Sequence, residues 1–203
     1  MTREELLSDL AYARTLAEEG RQAPLIGGSY LVLFGVLLAT AYVAHWAVLN
    51  GLAPGVNPGW IWLGFGVFAF AGSMALRARV RRMPGASAIG NRAERIVWRG
   101  VSIAILVVVL GAIVQANLSG QFNVINVIMA AGFGLYGVAL YATAEIGGHR
   151  WLSAFAYLAW LISGVLWAFM NEPWAYLVAA AGAVLVLLIP GVISMRAEPS
   201  KTV

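Results

Sequence analysis

Six stretches of this chain stay apolar for about the twenty residues that a helix needs to cross a bilayer, and they leave little room for any other fold. They run at roughly 28 to 49, 59 to 77, 97 to 117, 122 to 143, 151 to 170 and 174 to 195. A helix rises about 1.5 Å per residue, so each stretch covers about 30 Å of hydrocarbon with every backbone group bonded internally. Barrel strands would need alternation of apolar and polar residues over about half this length, and the stretches show none. Hydrophobic residues make up 61% of the 203 and charged residues 11%, too little charge to cover a soluble surface.

The connections predict an orientation. All 13 basic residues fall on one side: Arg3, Arg14 and Arg21 before the first run, Arg77, Arg79, Arg81, Arg82, Arg92, Arg95 and Arg99 around the second connection, then Arg150, Arg196 and Lys201. The other three connections carry no Lys or Arg. The positive-inside rule then puts both termini on the cytoplasmic side, and a basic set of twelve Arg and one Lys beside abundant Ala and Gly points to a GC-rich bacterial genome, hence a bacterial inner membrane. The net charge of +4 therefore reflects topology and contact with anionic headgroups, and nucleic acid is not expected as a partner. Ala39-Thr40-Ala41 resembles a signal-peptidase site, but the first run is too long for a signal core and is read as a span.

The expected fold class is an all-α membrane protein, a six-transmembrane-helix bundle of three hairpins with a short amphipathic cytoplasmic helix in front. Residues 1–23 form that helix, 24–196 the membrane domain and 197–203 a tail. Thr2 with Glu5 fits a capping box, and Leu6, Leu10, Ala13 and Ala17 recur on one narrow face, the pattern of a docking seam. The first 21 residues hold three arginines against five acidic residues, a balance that favours a protein surface over an anionic membrane. The 77 to 99 segment, with seven arginines and Glu94 alone opposing them, is a complementary surface in the same chain. Small-residue ridges, Ala175/Ala179/Ala183 foremost, then Ala112/Ala116, Ala130/Gly134 and Gly100/Ala104, predict close helix contacts, and Pro190 predicts a kink.

Chemistry is conspicuous by its scarcity. No Asp, Glu, Lys or Arg lies within the apolar runs away from their ends, which argues against proton-coupled transport. With no Cys, and with His45 and His149 at opposite faces, no catalytic set, metal site or cofactor is expected, a bis-histidine haem included. The residues left for a ligand or for packing are His45, which could meet Glu172, and Gln115 and Asn126, at similar depth on neighbouring helices. Trp160 falls in mid-span, where its indole N–H needs a protein acceptor. The leading expectation is a non-enzymatic regulatory or scaffolding subunit working through the N-terminal helix and the arginine-rich connection, with a protein partner or a homo-oligomer. The alternative is a channel or carrier for a neutral small molecule or lipid. An enzyme acting on lipid-linked substrates at Arg77, Arg81 and Arg95 ranks third.

Overall fold

The computed structural model of the chain describes Leu6, Leu7, Asp9, Tyr12, residues 25–83, Ala86 and residues 88–198. It is 85% helical, with no strand among the described residues. Six helices are long and apolar enough to cross a membrane: α1 (Gly28–Leu49), α2 (Pro58–Val80), α3 (Ile89–Ser119), α4 (Val127–Gly147), α5 (Trp151–Phe169) and α6 (Ala175–Ala197). A 3₁₀ turn, Phe122–Asn126, leads into α4.

Local chemistry sets the ends. Asn57 caps α2 by accepting from the Gly59 N–H at 2.8 Å, with Pro58 in the first turn, where its missing N–H costs nothing. α3 stops at Gly120, whose φ of 70° closes the helix in the left-handed region that a side chain would disfavour.

α1, α4, α5 and α6 form the core, with Phe133, Leu140, Leu152, Leu166, Val186 and Leu187 fully buried among them. α4 packs along α5, and α1 packs along α6. α2 rests on α1 and α3 on α4. The apolar stretch of α2 is only 6% buried and that of α3 11%, against 50% for α6, so α2 and α3 are the peripheral pair and present most of their side chains to lipid.

At the α1–α6 crossing, backbone meets backbone. A Cβ on Gly35 would lie 2.6 Å from the Leu188 backbone nitrogen, and one on Gly191 would lie 2.8 Å from the Val32 nitrogen. Backbone approaches backbone here because no side chain intervenes. Ala175, Ala179 and Ala183 are fully buried, as their spacing predicts, whereas Gly100 is exposed. Pro190 acts through the turns before it. Its ring nitrogen cannot donate to the preceding turn, and α6 widens to a π-helix over Val184–Leu188.

One boundary departs from expectation. α3 begins at Ile89, not near residue 97, and at 31 residues it is about 46 Å long, well beyond the hydrocarbon thickness. Its first two turns continue as helix because Asn91, Glu94, the half-buried Trp98 and Val101 share one face turned to the protein.

Candidate functional site

The arginine-bearing end of the bundle is built from α2, α3 and the segment between them. Arg77, Arg79, Arg81, Arg82, Arg92, Arg95 and Arg99 are all exposed. Two polar residues among them, Asn91 and Glu94, turn the other way. Asn91 is fully buried, and its Oδ1 accepts from the Ile26 N–H at 3.2 Å. Glu94, one turn on and 5% exposed, lays its carboxylate over Gly27 and accepts from that N–H. A Cβ on Gly27 would sit 2.8 Å from the carboxylate carbon, so the cap requires glycine there. α1 thus begins with amides that have no partner in their own helix, and α3 supplies the acceptors. Arg95 Nη1 donates to the Ala86 carbonyl at 2.7 Å, bracing the turn between α2 and α3. Just past α6, burial pushes the Glu198 carboxyl up, and the Arg79 guanidinium nearby pulls it back.

Of the expected docking seam, Leu6 is helical and 46% exposed, and Leu10, Ala13 and Ala17 lie outside the described residues. Leu7, Asp9 and Tyr12 are likewise helical and exposed.

At the opposite end a chain of polar and aromatic side chains links four parts of the bundle. Trp62 Nε1 on α2 donates to His45 Nδ1 on α1 at 2.9 Å. With Nδ1 accepting, the neutral imidazole carries its proton on Nε2. The His45 ring stacks at 4.2 Å on Tyr176 of α6, whose hydroxyl donates to Asn126 Oδ1 at 2.6 Å. Asn126 in turn reaches Asn171 in the turn before α6, at 3.4 Å. Tyr42 closes the group with edge contacts to Trp62 and Tyr176.

This arrangement redistributes the expected pairs. His45 and Asn126 belong to one network, but neither has the partner anticipated from the sequence. His45 is held by Trp62 and Tyr176, while Glu172 is exposed in the turn. Asn126 is taken up by Tyr176 and Asn171, and Gln115 is exposed on α3. Depth in the bilayer can be counted along a sequence, but direction around a helix axis has to be inferred from which neighbours pack, and α3 presents Ala112 and Ala116 to α4, not Gln115. Tyr176, Trp62 and Asn171 went unassigned; their depth, level with His45 and Asn126, was the available clue. Trp160 does find the acceptor it needs, donating to the Gly134 carbonyl at 3.1 Å, where Gly137 leaves room for the indole.

A third feature lies on the lipid-facing side of α2. An open groove of about 410 Å³ is lined by Trp62, Leu63, Gly66, Val67, Phe70 and Ala71 and is almost wholly apolar. Gln115 and Asn126 do not line it. Among the described residues no group of three or more His, Cys, Asp or Glu side chains gathers as metal ligands.

Fold and surface together define an integral membrane protein of the multi-pass helical class. The chain matches no protein-family model, no curated protein and no solved structure, so its function is argued from these sites alone.

Proposed function

We propose that the chain is a non-enzymatic subunit of a bacterial inner membrane, both termini cytoplasmic, that regulates or scaffolds a partner by contact. The arginine-bearing end is its working surface, and the N-terminal helix acts beside it. One observation carries this reading. Within a single short segment the seven guanidinium groups all face water while the carboxylate and amide between them, Glu94 and Asn91, are spent on capping α1. The surface therefore keeps a large cationic excess, seven guanidinium groups against the one buried carboxylate of Glu94, and an acidic protein segment is the complement that would satisfy it. The exclusive placement of Lys and Arg on this side supports the orientation, and a basic set that is Arg but for Lys201 supports the bacterial origin.

The carrier reading has less support. A polar path would run through Gln115 and Asn126, yet Asn126 is committed to neighbouring side chains and Gln115 lies on an exposed face. The groove on α2 is apolar and opens sideways.

The test is purification of the full-length chain from native membranes in mild detergent, beside an Arg82→Gln/Arg92→Gln/Arg99→Gln variant. A stoichiometric partner with an acidic segment is expected with the first and absent from the second, and about 0.5 M salt should release it, since surface charge is screened within a few ångströms at that strength. A partner held equally by both proteins, or no stoichiometric partner from native membranes, would refute the proposal.

A further inference from the structure

α2 carries two stripes of different character. Phe65, Ala69, Gly72 and Val80 follow the side toward α1; Ala69 and Val80 are buried, and Gly72 faces Leu33 of α1. About a third of a turn away, Leu63, Val67, Phe70 and Met74 recur at helical spacing and are 56%, 59%, 71% and 53% exposed. The next two positions of that same stripe are Arg77 and Arg81. Between Leu63 and Phe70 the stripe is interrupted by Gly66, which has no neighbour within 4 Å, and there the groove opens.

We propose that this face binds one anionic phospholipid, its phosphate on Arg77 and Arg81 and one acyl chain in the groove over Gly66. Charge fits, because two guanidinium groups offer several donors to one phosphodiester. Length fits as well. With the phosphate at Arg77, Phe70 and Gly66 lie about 10 and 16 Å further along the helix, close to the roughly 15 Å that the chains of one leaflet fill. The groove is open along its length, and its apolar lining suits hydrocarbon. Missing side-chain volume at Gly66 distinguishes this stripe from an ordinary lipid-facing helix: it is a slot in line with a paired cation. The site shares Arg77 and Arg81 with the cationic surface proposed above, but Arg82, Arg92 and Arg99, on which the partner is tested, lie outside the stripe.

The experiment titrates the full-length protein in mild detergent with phosphatidylglycerol or phosphatidylcholine and reads bound lipid by native mass spectrometry. One phosphatidylglycerol per chain is expected to bind in preference to phosphatidylcholine. Arg77→Gln/Arg81→Gln should weaken it about 30-fold, since each arginine near an anionic surface contributes close to a fivefold effect. Gly66→Leu, which fills open space and keeps both arginines, should weaken it severalfold, and Arg79→Gln, off the stripe, should leave it unchanged. Circular dichroism establishes that each variant is folded. Three results would overturn the inference: binding indifferent to Gly66→Leu, displacement of the lipid by millimolar glycerol phosphate, or a dimer that Gly66→Leu dissociates. Retention of the protein partner by Gly66→Leu, which leaves every arginine in place, keeps this outcome distinct from that of the contact surface.

Discussion

The α1–α6 crossing makes a prediction whose size can be worked from the coordinates. In Gly35→Ala the new methyl carbon would stand 2.6 Å from the Leu188 nitrogen and 2.9 Å from its Cα and Cβ. Ordinary contact begins near 3.4 Å, so the two backbones must part by about 0.8 Å at this point. They cannot pivot freely, because Gly28 and Gly191 hold them as closely one to two turns away. Overpacking of this kind costs about 1–3 kcal/mol. Alanine also favours helix over glycine by about 1 kcal/mol, which would mask part of the loss. Gly64→Ala removes that ambiguity, since Gly64 is interior to α2 with nothing within 4 Å. The propensity gain is common to both variants, and their difference isolates the contact. Unfolding in mixed micelles by titrated SDS, followed by far-UV circular dichroism, should put Gly35→Ala below Gly64→Ala by about 1–3 kcal/mol, or about 5- to 150-fold in the folding equilibrium. Equal stability of the two variants would refute backbone-to-backbone packing at this crossing.

Two further outcomes are expected. Asn91→Ala strands the Ile26 N–H in a buried site, so amide exchange at Ile26 should quicken by roughly ten- to a hundredfold, the equivalent of about 1–3 kcal/mol, while amides in α5 stay protected. Unchanged exchange at Ile26 would mean that another acceptor replaces Asn91. Because the chain has no cysteine, Arg82→Cys and Asn50→Cys can each report topology alone: in intact cells a membrane-impermeant maleimide should label position 50 and spare position 82, and the reverse pattern would invert the proposed orientation.

The architecture was legible because lipid imposes one simple requirement, an uninterrupted apolar length, and all six runs meet it. α1 falls where the apolar run predicts, and α5 and α6 agree to within about two residues. Hydrophobicity failed at the start of α3, where Asn91, Arg92, Glu94 and Arg95 read as a connection. They continue a helix in which Asn91 and Glu94 are buried against the start of α1, a tertiary reason invisible to a hydropathy window. Polar residues in apolar surroundings stood out, so His45, Asn126 and Trp160 could be named, but their partners depended on helix rotation. The glycines at 28, 35 and 191 were overlooked in favour of alanine ridges. Ridges repeat at helical spacing and announce themselves, whereas a close crossing between the first and last helices needs only single residues far apart in the chain.

That crossing also governs how the protein comes to be made. The surface of α1 around Gly28 and Gly35 is completed by residues 188–195, so a ribosome has delivered α2 to α5 and most of α6 before α1 acquires its principal neighbour. Until then α1 waits in the bilayer with its notches open. A message truncated anywhere upstream of α6 leaves those notches open for good, giving the cell a plain structural criterion by which a protease can tell an unfinished copy from a finished one.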